Sequence, residues 1–190
     1  MVELEGSNTD AVMNTERRRA LLRVVRAQFR LDWQGIHGVP HWARVRWNGL
    51  NMAAVNGARA DVVELFACLH DCQRWHDGRD REHGARAADF TFALDRQLLK
   101  LDRPGLELLS HAIRYHSDGL TEADITVQTC WDSDRLDLGR VGITPRPERL
   151  CTEEARDPML LDLAYRRSVR RAHLVSPTGR RLETWEQEQG

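Results

Sequence analysis

The sequence predicts an all-α fold, a single bundle of six or seven helices. Apolar side chains recur every three or four residues along most of the chain, which is the period of an amphipathic helix. Glycine- and proline-containing breaks separate these segments, and apolar and polar residues nowhere alternate over more than a few positions, as they would in strands. With 190 residues, one domain can bury a hydrophobic core without disulfides or a structural metal.

The first three predicted helices occupy 14–29, a segment that opens at Pro40, and 60–74. The segment GIHGVP separates the first two, and Pro40 is well placed to begin a helix because proline fits the first helical position. The second helix carries His41, Val45 and Met52. The third contains the run VVELFACLH, which is apolar on nearly every side and therefore predicts a buried helix.

Four more helices are predicted in the second half of the chain, over 82–100, 106–116, 122–138 and 158–172. The loop HDGRDREHG precedes the first of them, SDG ends the second, and Pro145 and Pro147 close the region after the third. We expect one domain over 14–175, with flexible ends at 1–13 and 176–190, where the sequence is polar.

Composition limits the classes of partner. The chain has 28 basic and 29 acidic residues and a net charge of −1, so no overall field favours nucleic acid or a membrane as partner. Lys100 is the only lysine, so an anion site would use arginines, backbone amides or metal ions.

The four cysteines form no Cys-x-x-Cys pair, and the sequence has neither a secretory signal nor a long apolar run. We expect a cytoplasmic protein with free thiols, of undetermined oligomeric state.

The strongest chemical signal is His70-Asp71, at the end of the buried helix. An unpaired carboxylate is costly in such apolar surroundings, and a divalent metal ion is one partner that would stabilise it. An isolated pair of this kind is more often a helix-end aspartate beside a hydrogen-bonded core histidine.

Asp134 is a second acidic residue on a core-facing side. It lies on an apolar stripe with Val127, Cys130, Trp131, Leu138 and Val141. Asp132 and Asp137 fall off the centre of this stripe, and we expect them to be solvated or paired with arginine. A buried ion pair with Arg44 or Arg86 is the alternative interpretation of Asp134.

Three more histidines have similar contexts. His116 shares a helix face with Leu109 and Ile113, His83 begins a helix, and His41 directly follows a break. His111 is the alternative to His116, although a surface position is equally compatible with its face. His37 is interpreted as a structural or supporting residue.

The segments HGVPHWARV, LFACLHDCQRW and WDSDRLDLGRVGI resemble the HD superfamily of metal-dependent phosphohydrolases over residues 37–143. The resemblance implies an HD-domain helical bundle with a first metal bound by His41, His70, Asp71 and Asp134. The aspartate before "RL" is the ligand in that family, which selects Asp134 over Asp132. Members with two metals add two histidines, here matched by His83 and His116, with His111 as the alternative.

The sequence departs from the substrate motifs of the better-known branches. Arg74 stands near the position of a lysine in the HD-GYP branch and of a glutamate in the bacterial deoxynucleotidases. Leu120 follows Gly119, so the "GYP" motif is absent, and no Glu-Asp pair of the alarmone hydrolases follows the HD pair. The resemblance therefore predicts a metal site and leaves the substrate open.

The leading hypothesis is a metal-dependent phosphohydrolase for a nucleotide or another small phosphorylated metabolite. It requires one or two divalent ions (manganese, magnesium, iron, cobalt, nickel or zinc). Asp71 would bridge two metals, Asp77 is a candidate general acid or base, and three arginines are candidate phosphate ligands: Arg44, Arg74 and Arg86. The alternatives are a di-iron HD-type oxygenase and a non-catalytic HD module that binds a ligand or partner.

Overall fold

The computed structural model describes residues 13–94 and 96–172, and this part of the chain contains helices and no strands, as predicted. Seven of its helices have ten or more residues. In chain order the α-helices are α1 Thr15–Gln28, α2 Val39–Asn56, α3 Ala60–Leu69, α4 His83–Ala93, α5 Arg96–Leu99, α6 Arg103–Tyr115, α7 Ile125–Arg135, α8 Glu153–Arg156 and α9 Pro158–Ala172. Two short 3₁₀ helices, Leu138–Val141 and Pro147–Arg149, follow α7. The predicted flexible ends lie outside the described residues, except for Met13, which is buried.

Helix α3 forms the centre of the bundle. Every residue from Val62 to Leu69 is buried, and α2, α6 and α7 pack around the helix. Burial on all sides explains why its sequence is apolar nearly all round. Its one buried acid, Glu64, pairs with Arg18 of α1 and Arg46 of α2, so this ion-pair network ties three helices together.

Two predicted helices are shorter than expected. The helix predicted over 60–74 ends at Leu69, and turns carry the chain from His70 to Arg74. The helix predicted over 82–100 is divided at Leu94, which has an extended backbone and is buried. The Thr91 hydroxyl donates to the carbonyl of Ala87 just before this break, and such bonding back to the preceding turn weakens a helix.

Close packing brings the start of α4 against the end of α6. A Cβ atom at Gly84 would lie 2.7 Å from the carbonyl oxygen of Arg114 and 2.9 Å from that of Ile113. Only glycine allows backbone to approach this closely. The adjacent residues His83 and His116 are thereby brought together.

All four cysteines are free thiols, three of them buried. Among the helices of the described residues, none is both long and apolar enough to span a membrane.

Candidate metal centre

The ends of five helices converge on one buried cluster of imidazoles and carboxylates. Helices α2 and α4 contribute residues of their first turns, and α3, α6 and α7 contribute residues at or near their last turns. The six side chains are those for which a metal role was predicted: His41, His70, Asp71, His83, His116 and Asp134.

The first group consists of His41, His70, Asp71 and Asp134. The Nε2 atoms of His41 and His70 are 3.0 Å apart, and Asp71 Oδ2 lies 3.7 and 3.6 Å from them, respectively. Asp134 Oδ1 lies 3.3 Å from His41 Nε2 and 3.8 Å from His70 Nε2. The two nitrogens and Asp71 Oδ2 therefore lie close to one another, and Asp134 Oδ1 lies beside the same two nitrogens.

The second group consists of His83, His116 and again Asp71, which contributes its other carboxylate oxygen. The Nε2 atoms of the two histidines are 2.8 Å apart. Asp71 Oδ1 lies 3.2 Å from His83 Nε2 and 3.6 Å from His116 Nε2. Asp71 therefore contributes one oxygen to each group.

The Nδ1 atom of each cluster histidine faces an oxygen that can only accept a hydrogen bond. His41 donates to the Asp137 carboxylate at 2.7 Å, and His70 and His116 donate to the carbonyls of Phe66 and Ile113 at 3.2 and 2.7 Å. His83 donates to the carbonyl of Asp80. Because Nδ1 carries the proton, Nε2 of a neutral ring presents a lone pair to the cluster.

This arrangement fits a cation. Facing lone pairs 2.8 and 3.0 Å apart repel one another unless a proton or a metal ion lies between them. Asp134 Oδ1 is buried and accepts no hydrogen bond from the described residues, although such groups are normally satisfied. Histidine nitrogens and carboxylate oxygens are the usual donors for divalent transition ions, so both groups could hold one.

Burial and neighbouring charges set the ionisation states. Burial lowers the pKa of His70 to about 3, so this ring is neutral. Burial also acts to lower the pKa of His116, but the Asp71 carboxylate outweighs it and raises that pKa. Burial acts to raise the pKa of Asp71, but its imidazole neighbours and the Arg74 guanidinium hold that pKa well below its usual range.

Arginines lie behind the cluster carboxylates. Arg74 Nε donates to Asp71 Oδ1 at 2.9 Å, and Arg140 Nη2 lies 3.5 Å from Asp134 Oδ1. Arg44 binds both oxygens of Asp137 at 2.6 and 2.9 Å. Arg44, one of the two arginines predicted as possible partners of Asp134, therefore pairs with a different aspartate.

Arg86, the third candidate phosphate ligand, pairs with the Asp80 carboxylate and lies over the Trp75 ring. It therefore helps to hold Asp80, whose backbone carbonyl accepts a hydrogen bond from His83 Nδ1.

Asp132 and Asp137 were expected to be solvated or paired with arginine; both are buried, and Asp132 lies 3.7 Å from Arg135 Nη1. Asp132 lies outside both groups and accepts hydrogen bonds from the backbone of Cys151 and Thr152, which holds the segment before α8. Asp137 pairs with Arg44, in agreement with the expected arginine partner. Helix α7 packs against four other helices, so residues off its apolar stripe meet protein rather than water.

Two other predicted residues lie outside the two groups. His111 is exposed on α6, where its ring contacts Tyr115. The side chain of Asp77 is 56% exposed and binds the buried His37 at 2.8 Å. Burial lowers the pKa of His37, with the charge of Asp71 acting in the opposite direction.

Sequence reasoning missed the supporting roles of Asp137 and Arg140. Asp137 lies three residues after Asp134 and orients His41 from the far side of its ring. Arg140 reaches Asp134 while donating to the carbonyl of Ile36 at 2.9 Å. The spacing D-x-x-D-x-x-R was visible in the sequence, but nothing in it showed that α2 would lie opposite.

Neither a protein-family model nor a curated protein matches the chain. A crystal structure of a predicted HD superfamily hydrolase from an uncultured Thermotogales bacterium is similar to it, with 26% sequence identity and a TM-score of 0.61; the match covers 85% of this chain and 96% of that chain. The buried histidine–aspartate cluster fits the metal site implied by the sequence resemblance. The chain therefore has the fold of an HD-domain helical bundle, and its buried cluster resembles the metal site of the HD superfamily.

Proposed function

We propose that this chain is a metal-dependent phosphohydrolase that acts on a small phosphorylated metabolite, such as a nucleotide, and uses two divalent cations. The observation that carries the proposal is the position of Asp71, whose two oxygens face two separate histidine pairs. The proposed ligands are those of the first group for one cation and those of the second group for the other, with Asp71 shared. The similarity to a predicted HD superfamily hydrolase supports hydrolysis as the reaction class.

Formal charge supports an anionic substrate. The three carboxylates in and behind the cluster, Asp71, Asp134 and Asp137, each lie beside an arginine. Because these charges cancel, the cations would leave the site positive, which favours a phosphate group. A bound divalent cation lowers the pKa of water and polarises a phosphoryl oxygen.

The chain's own residues would orient the reactants and move protons. Among the predicted phosphate ligands, Arg74 is closest to the centre, since it contacts Asp71 directly. Asp77 is the proposed proton donor to the leaving group. Its carboxyl group is exposed, and it is hydrogen-bonded to the buried imidazole of His37.

The proposal is tested by metal analysis of purified protein, followed by phosphate release from a panel of phosphomonoesters, phosphodiesters and nucleotides with manganese, magnesium, cobalt or iron. We expect two cations per chain and turnover of at least one substrate class. Asp71→Ala should lose both cations and at least 10³-fold in rate, about 4 kcal/mol in the barrier, while its circular dichroism stays helical. His111→Ala is the matched control, because it removes an exposed imidazole from α6.

Other outcomes identify the alternatives. Iron-dependent oxygen uptake without phosphate release would replace the proposal with the oxygenase hypothesis. If the purified protein contains no bound metal, and Asp71→Ala gives the same result as wild type in every activity assay, a non-catalytic module would be favoured.

A further inference from the structure

The two halves of the cluster differ in the number of carboxylates they contain, although an arginine lies beside each of these carboxylates. The first group has carboxylate oxygens from both Asp71 and Asp134, and its His41 is backed by the Asp137 carboxylate. In the second group, Asp71 Oδ1 is the carboxylate oxygen, and both imidazoles are backed by neutral carbonyls. A carboxylate behind a histidine raises its basicity as a ligand more than a carbonyl does.

Arg74 increases this difference. Its Nε donates to Asp71 Oδ1 at 2.9 Å, a shorter distance than those from His83 and His116 to the same oxygen. The carboxylate oxygen of the second group thus already accepts a hydrogen bond from a positively charged guanidinium. A cation placed there would share this oxygen with Arg74 and would be repelled by its charge.

We infer that Arg74 is a positioning residue that makes the second group the weaker cation site, and that a bound phosphate anion relieves this effect. The inference rests on the proposed function, because it concerns the loading of the same centre. It assigns to Arg74 a role in coupling the second cation to the substrate.

The surroundings of Arg74 allow this coupling. Its side chain is 14% exposed, and Nη1 donates to the carbonyl of Gly78 in the exposed loop after the HD pair. Among the described residues, its remaining N–H groups have no hydrogen-bond partner. A guanidinium has five N–H donors in a planar fork that matches phosphate oxygens. An anion at this edge would therefore draw positive charge away from Asp71 Oδ1 and strengthen cation binding there.

The experiment is a titration of metal-free protein with Mn²⁺, with free ion measured by electron paramagnetic resonance, with and without inorganic phosphate. We expect two dissociation constants at least tenfold apart, and phosphate should lower only the larger one, which belongs to the second group. Arg74→Met should tighten the second site about tenfold and abolish the effect of phosphate. Arg46→Met is the matched control, because it removes an arginine paired with the buried Glu64, away from the cluster.

The outcomes separate this inference from the proposed function. Two equal sites, or an Arg74→Met variant in which the second site is unchanged or weaker, would overturn the inference and leave a two-cation centre. Wild-type protein that binds no cation would contradict the proposed function itself. If Arg74→Met does not fold, Arg74→Gln provides the same neutral comparison with a polar side chain.

Discussion

Asp71 shows at the scale of a single residue how position gives one carboxylate two roles. It lies two residues beyond the end of α3, which is buried from Val62 to Leu69, and is itself buried, so neither of its oxygens reaches bulk water. Each oxygen instead faces a histidine pair, and Arg74 lies beside one of them. Loss of this side chain would leave positive charge and unpaired nitrogens in a buried site.

His70 makes the metal-free protein sensitive to acid. Its pKa is about 3 in the folded protein and about 6.5 in the unfolded chain. As the pH falls below 6.5, the unfolded chain takes up a proton that the folded protein does not, so the free energy of unfolding decreases. We expect a loss of up to about 1.4 kcal/mol per pH unit between pH 6 and 4, measured by urea unfolding with chelator present.

His116 should act in the opposite direction and in another pH range. Its pKa is raised, so its stabilising contribution is complete below the unfolded pKa and is lost as the pH rises through the folded one.

The variant His70→Gln tests the effect of His70. It should flatten the acid limb of the stability profile, which is the fall in the free energy of unfolding at low pH, whereas His111→Gln on the exposed face should not. An acid limb that is identical in His70→Gln and wild type would contradict the assignment to His70.

The six cluster residues could be proposed from sequence because each occupies a helix end or a core-facing position, and the family resemblance favoured His116 over His111. The roles of Asp137 and Arg140 could not. A helical wheel ranks residues by one buried face, and α7 is buried on several faces. Similarly, the pairing of Arg74 with Asp71 depends on a turn that was predicted as continuing helix.

At the scale of elements, the site depends on how closely the helix ends approach. The contact between α4 and α6 is limited by Gly84, which faces backbone carbonyls rather than flexible side chains. Backbone cannot move aside cheaply, so this spacing determines the distance between His83 and His116.

Gly84→Ala tests this contact. The added methyl group should force α4 away from α6, cost about 1–3 kcal/mol in stability, and weaken the second cation site more than the first. Thermal unfolding and the Mn²⁺ titration measure the two effects. Unaltered cation binding in Gly84→Ala would show that the spacing is not critical.

At the scale of the whole molecule, the core and the cluster contribute separately to stability. The apolar core extends over most of the long helices, and Glu64 joins α1, α2 and α3 by ion pairs. We therefore expect the helices to persist without metal, since apolar burial rather than a cation holds them together.

Removal of the cations should lower the melting temperature without loss of helical signal. A ligand at 100 times its dissociation constant stabilises the native state by about 2.7 kcal/mol, which for a domain of this size is roughly 5–10 °C. Differential scanning fluorimetry before and after chelation, together with circular dichroism, measures both. Asp71→Ala should show no metal-dependent shift, and loss of helicity on chelation would mean that the fold itself requires the metal.

Local patterns were enough to establish the helical class, the burial of α3 and the residue types of the cluster, because apolar period and chain breaks depend on neighbours along the chain. Only the tertiary structure decided that Asp71 faces two histidine pairs, that Asp137 supports His41, and that Arg74 lies on one oxygen of Asp71. Those contacts join residues on different helices or on opposite sides of a turn. Their geometry depends on packing distances of a few ångströms, which no sequence period encodes.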